Sequence, residues 1–281
     1  MSPLNEKCNS GWGTGDGDAS LGFSTYRSFT FVRDAVRQVL SCYAQGLSSA
    51  RNIREHTGLG TIYVEAMPRF ARAAGLVDGK KRLTPFGLSV VEHDSTMAGA
   101  STQWLIHYSL CSPFGVGPAF WRVLFRFVTG CATVSPEDIR AHLETLGPAG
   151  APIGPKALGY AATAFVGTYT RDDCLGELGV LVKDGEQLAV GRGRLAPTPV
   201  VAFAVADFWD HAWPGRASVN LSWLNEQGGP ASLLLMNSGE MSDALREMQN
   251  AGLVEVHRVA PPYQVFRLWG DSTKLLERVY E

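Results

Sequence analysis

Residues 73–87, AAGLVDGKKRLTPFG, impose an order that few folds satisfy. A helical run stops at Gly75, because glycine takes the left-handed conformation that closes a helix. Leu76 and Val77 then supply two apolar side chains, and Asp78-Gly79 is a tight-turn pair. Lys80, Lys81 and Arg82 crowd the turn before the chain returns. The stretch therefore predicts a helix end, a short entry into the core and a small hairpin with a basic tip. Looser versions recur in ELGVLVKDGEQLAVGRG (177–193) and NAGLVEVHRVAPPYQVFRL (250–268), which points to repeated units.

The residues ahead of the first copy complete it. Val32, Val36, Val39, Leu40 and Tyr43 fall at helical spacing and form one apolar stripe. Ser48 or Ser49 is the expected cap of a second helix that ends at Gly58. Thr61 is the expected cap of a third, TIYVEAMPRFARAAGLV. Pro68 lies inside it, and a mid-helix proline costs about 3 kcal/mol, so a start at Pro68 is the alternative. Helix, helix, turn, helix and hairpin form the winged helix-turn-helix order. There the third helix enters the major groove and the hairpin lies against phosphates.

In the second copy, Ser135 and Pro136 open a helix, GPKALGYAATAFVGTYTR is a second helix with a small-residue face, and Asp184-Gly185 closes a hairpin. In the third, TPVVAFAVADFWDHAW is a helix, Ser242 is the expected cap of the next, and PYQVFRLW is a returning strand. The aromatic stretch 96–130 supplies core helices. The fold expected is mainly α with small β-hairpin wings, an α+β chain of tandem winged-helix-like units joined by a helical core. Its boundaries are a flexible tail over 1–22, a first unit over 23–95, a central segment and second unit over 96–196, and a third unit over 197–281.

Composition narrows the function. The net charge of −2 gives no basic coat, so nucleic-acid contact must come from local clustering. From Arg51 to Arg82 it does cluster: Arg51, Arg54, Arg69, Arg72, Lys80, Lys81 and Arg82 face only Glu55, Glu65 and Asp78. These seven bases, with Lys156 and Arg171 of the second unit, are the expected DNA contacts; the plainer reading is a solvated surface on a docking module. Lys183, Arg192 and Arg194 add an auxiliary basic set. From 237 to 281 acids outnumber bases, so the third unit reads as a packing or protein-contact module. The five cysteines, Cys8, Cys42, Cys111, Cys131 and Cys174, form no CxxC pair, which fits a reducing cytoplasm rather than a zinc or disulfide framework. No apolar run is long enough to span a membrane.

No catalytic motif is legible. A metal-dependent nuclease needs carboxylates converging on one ion. The candidates are Asp172 and Asp173 in RDD, and Asp207, Asp210 and His211 in DFWDH, with EHD (92–94) as a further short cluster. Each is more often a cap or a surface ion pair. His107 sits in the apolar WLIHYSL, where a hydrogen-bonded core role outweighs that of ligand or base. Nucleotide-binding loops and a serine-hydrolase elbow are absent, so no nucleotide or flavin is expected.

The order of FSTYRSFTFV, GLGTIYVEAMPRFARAAGLV, RLTPFG, STQWLIHYSL, FWRVLFRF and LGYAATAFVGTYTRDDCLGELGVL resembles the SspB family, across roughly 22–269. Trp104 to Tyr108 match its Trp-Leu-x-His-Tyr/Trp segment, and Arg171, Asp172, Leu175, Leu178, Gly179 and Val180 match its later segment. The resemblance implies the nicking component of an Ssp-type DNA phosphorothioation and anti-phage defence system. It implies double-stranded DNA as substrate and, as partners, a cysteine desulfurase, an ATPase and an ATP-pyrophosphatase-like protein. A nicking endonuclease implies Mg²⁺ or Mn²⁺. The alternative is a non-catalytic DNA-binding adaptor or regulator that recruits partner enzymes.

Overall fold

The computed structural model describes residues 21–147, 153–191 and 193–281. Arg192 and, apart from Leu21 and Gly22, the tail expected over 1–22 lie outside the described residues. The chain divides into two compact units. The smaller takes Leu195–Glu281 with Ser112–Phe114; the larger takes the described residues of Gly13–Cys111 and Gly115–Arg194.

In the larger unit, α1 (Arg33–Ala44) buries Ala35, Val36, Val39, Leu40 and Tyr43 along one face, as the spacing predicts. Helix α2 (Ala50–Thr57) is capped by Ser49, whose hydroxyl accepts from the Asn52 amide at 3.0 Å. Helix α3 (Thr61–Ala73) begins after Gly60, so Thr61 is its first residue rather than its cap.

It also runs unbroken through Pro68, against the alternative start there. The proline removes one helical hydrogen bond, but its neighbours Met67 and Phe70 are fully buried. Phe70 stacks on Tyr26 at 3.7 Å and meets Phe31 and Trp121 edge-on. Burial of such side chains contributes about 1.5–3 kcal/mol each, enough to outweigh the local cost.

After α3, Gly75 is left-handed (φ +75) and Leu76 and Val77 enter the core. The expected hairpin is reduced to one bridge, Val77 opposite Leu83. Thr84 then caps α4 (Pro85–His93), accepting from the Gly87 amide at 3.0 Å. A Cβ on Gly87 would lie 2.0 Å from the Leu76 carbonyl oxygen, so LTPFG needs its glycine for this close approach.

Helix α5 (Ala100–Cys111) buries nine of its twelve residues, Thr102, Gln103 and His107 among them, which marks a core helix. It is followed by α6 (Ala119–Thr129), β1 (Thr133–Val134) and α7 (Pro136–Glu144), the last opened by a Ser135–Asp138 capping box. Helix α8 (Pro155–Thr170) leads to β2 (Leu181–Asp184) and β3 (Gln187–Val190). The antiparallel sheet has the order β1-β3-β2, with Val182 opposite Ala189.

The smaller unit holds α9 (Thr198–Ala212), β4 (Ser218–Asn220), the short α10 (Leu221–Leu224) and α11 (Pro230–Leu233), α12 (Ser238–Asn250), β5 (Val254–His257) and β6 (Gln264–Arg267). Its antiparallel sheet runs β4-β6-β5. Helix α12 starts four residues before the expected Ser242. Asn237 is the cap, because Glu240 reaches back to the Asn237 amide while the Asn237 side chain accepts from the Glu240 amide. The chain is thus mainly α with small β elements. Among the described residues, no helix is long and apolar enough to cross a membrane.

Candidate nucleic-acid interface

The basic tip after α3 has a definite shape. Asp78 O accepts from the Lys81 amide at 3.0 Å, and the Asp78 amide donates to Arg82 O at 2.9 Å. The Asp78 side chain completes the turn. It accepts from the amides of Lys80 and Arg82 at 2.8 and 2.9 Å and from the Arg82 guanidinium at 2.6 Å. The Arg82 amide and then its guanidinium hold the Asp78 carboxyl below the usual carboxylate range. The left-handed residue is Lys81 (φ +61) and not Gly79, so the turn is longer than the expected Asp-Gly pair. An aspartate that binds the backbone two residues on is a known turn former, and that signal was present in DGKKR.

Lys80, Lys81 and Arg82 line one open groove of about 380 Å³ with Tyr43, Gly46, Ser48, Leu83 and Leu88. The Lys81 ammonium donates to Ser48 O at 2.9 Å. Arg72, at the end of α3, lies beside the tip: a Cβ on Gly79 would be 3.8 Å from its Nη2. Four of the predicted contacts are thus brought together. Arg72 does not itself line the groove, and the remaining five predicted contacts are not on it either. Arg51 pairs with Glu55 at 2.8 Å along α2, and Arg69 donates to Thr25 O at 2.8 Å. Arg54 is exposed on α2. Lys156 lies over the Tyr160 ring at 5.7 Å.

Arg171 follows α8 and grips both oxygens of Asp173 at 2.9 and 2.6 Å. The Arg171 guanidinium lowers the Asp173 pKa, and the carboxylate raises that of Arg171. Asp172 O accepts from Arg33, whose guanidinium also donates to Met97 O at 3.2 Å. Sequence reasoning passed over Arg33, because its partners are far away along the chain.

In the smaller unit, Asp207 and His211 share a face of α9: the His211 Nδ1 lies 2.8 Å from Asp207 O and 3.6 Å from its carboxylate. Asp210 is committed instead to Arg267. His107 is fully buried, with Nδ1 2.8 Å from the Tyr169 hydroxyl, which also accepts from Trp121 Nε1 at 3.2 Å. Cys111 lies 3.4 Å from that hydroxyl, and burial pushes its thiol up to about 12. Burial likewise raises the Tyr169 hydroxyl well above its ordinary value. This is a sealed polar network within the core. Among the described residues, no group of three or more His, Cys, Asp or Glu side chains is placed to hold a metal ion.

Two solved structures share this arrangement over 94% of this chain and 87% of their own. One is a magnesium-bound SspB crystal structure, at 15% identity and TM-score 0.75; the other is an SspB crystal structure at 16% and 0.77. The fold is that of SspB. Neither a family model nor a curated protein matches the sequence. At 94% coverage, the likeness takes in residues of both units.

Proposed function

We propose that this protein is a DNA-nicking component of an SspB-type phosphorothioation and defence system, working on double-stranded DNA in the cytoplasm. The observation that carries the reading is the likeness to SspB over nearly the whole chain, which agrees with the order of sequence motifs. On this reading, 23–95 is a winged helix: α3 addresses the major groove, and the Lys80–Arg82 tip lies on phosphates. Phosphate contact supplies affinity and register, while any base reading falls to the exposed residues of α3. The partners are a cysteine desulfurase, an ATPase and an ATP-pyrophosphatase-like protein.

In-line attack on a phosphodiester calls for charge stabilised at the attacking and leaving oxygens, so Mg²⁺ or Mn²⁺ belongs to the reading. One SspB structure is described as magnesium-bound. The described carboxylates of this chain do not themselves assemble a ligand set.

A second reading is a DNA-binding adaptor without its own chemistry. It is favoured by the engagement of Asp173 with Arg171 and of Asp210 with Arg267. A supercoiled-plasmid assay with Mg²⁺, with Mn²⁺ and with chelator separates the two. It should include the double variants Asp172→Ala/Asp173→Ala and Asp207→Ala/Asp210→Ala. Metal-dependent open circles, lost in one double variant only, establish nicking. Plasmid that is bound but stays supercoiled establishes the adaptor.

A further inference from the structure

We infer that the basic tip divides its labour: Lys80 and Arg72 meet the DNA phosphates, while Lys81 and Arg82 are positioning residues that hold the tip in shape. The inference rests on the DNA-binding reading above and assigns its charges residue by residue. Arg82 is engaged within the tip, because Asp78 holds its guanidinium at 2.6 Å and cancels its charge locally. Lys81 occupies the left-handed corner, and its ammonium is tied to Ser48 O, which pins the tip to the turn between α1 and α2.

Lys80 and Arg72 differ from both. The Lys80 amide serves the turn, but its ammonium forms no hydrogen bond or ion pair among the described residues. The Arg72 guanidinium is equally uncommitted there, and it reaches the tip at Gly79 from the end of α3. Two unspent cations therefore flank one turn, Arg72 on a helix and Lys80 on the tip, and Lys80 also lines the open groove. A cation already paired with a carboxylate displaces few counterions when DNA arrives, whereas an unpaired one counts almost fully in the salt dependence. The same tip thus contains both kinds of residue, and a salt titration can tell them apart.

The test is the affinity for a duplex oligonucleotide, by fluorescence anisotropy at several NaCl concentrations, with circular-dichroism melts as a folding control. Lys80→Met and Arg72→Met should each flatten the slope of log K against log[salt] by about 0.9, the value for one phosphate contact. Lys81→Met should weaken binding while lowering the slope by less than Lys80→Met does, because its ammonium is turned to Ser48 O, and Lys81→Arg should restore affinity by renewing that tether. The double variant Asp78→Asn/Arg82→Gln should keep the wild-type slope, since it removes a cancelled pair. The division is overturned if Lys80→Met leaves the slope intact. A full step in slope from the Asp78→Asn/Arg82→Gln variant overturns it as well. Failure of the unsubstituted protein to bind DNA at any salt overturns the underlying reading too, and is seen before any variant is compared.

Discussion

The same four residues, Ala-Gly-Leu-Val, close α3 at 74–77 and α12 at 251–254, and the two segments then part company. Both helices end in the same way. Gly75 and Gly252 are left-handed, at φ +75 and +70, and the amides of Leu76 and Leu253 reach back to the carbonyls of Ala71 and Met248 at 3.0 and 2.9 Å. That pattern is a Schellman cap. In both, the leucine and valine enter the core.

Beyond this point the first segment makes one bridge around a tight, charged tip, while the last builds four residue pairs between β5 and β6. The loop of the last carries Val259, which is 99% exposed. A shared stop signal thus settles how the chain leaves the helix and enters the core. The residues of the loop settle what the segment offers to solvent.

The largest effects should come from the core entry. Leu76→Ala should destabilise the larger unit by about 2–5 kcal/mol, and Leu253→Ala the smaller unit by the lower end of that range, because Leu253 is slightly less buried. Chemical denaturation followed by circular dichroism would measure both. Equal costs would break the expected ranking.

Next are the caps. An alanine at either glycine is strained by about 1–2 kcal/mol in the left-handed region. A Cβ at Gly75 would also press on Ser109 Oγ at 3.0 Å, whereas one at Gly252 would meet nothing within 4 Å. Gly75→Ala should therefore lower the melting temperature of its unit more than Gly252→Ala lowers that of the other.

The tip supplies a smaller, pH-dependent effect. The Asp78 pKa is lowered in the fold, so its contribution is present above the ordinary aspartate value of about 3.9 and is lost as pH falls through the lower folded value. The melting temperature of Asp78→Asn should lie below wild type at neutral pH, and the gap should close in that acid window. A gap independent of pH would mean that the carboxylate charge contributes nothing. The smallest effect is expected at the opposite loop, where Val259→Ser should change stability by less than about 0.5 kcal/mol in the same melts.

Legibility followed the range of the interactions. The caps at Ser49 and Ser135 were readable because donor and acceptor lie within one helical turn. The start of α12 was misplaced because Asn237 and Glu240 form an equally local box, and the sequence offers both it and Ser242. The basic cluster was readable as composition, but its order of importance was not. Seven cations look alike in the sequence until Asp78, Glu55, Ser48 O and Thr25 O engage four of them.

Alone, the amino-acid sequence determined the main helices, the glycine stops and the place of the basic tip, since these depend on backbone preferences over a few residues. The tertiary structure decided the rest. It carried α3 through Pro68 by burying Met67 and Phe70, and it joined Asp172 O and Met97 O through Arg33. It also enclosed His107 with Tyr169, Cys111 and Trp121. Such outcomes require groups far apart in the chain to be desolvated together, and no local pattern encodes that energy.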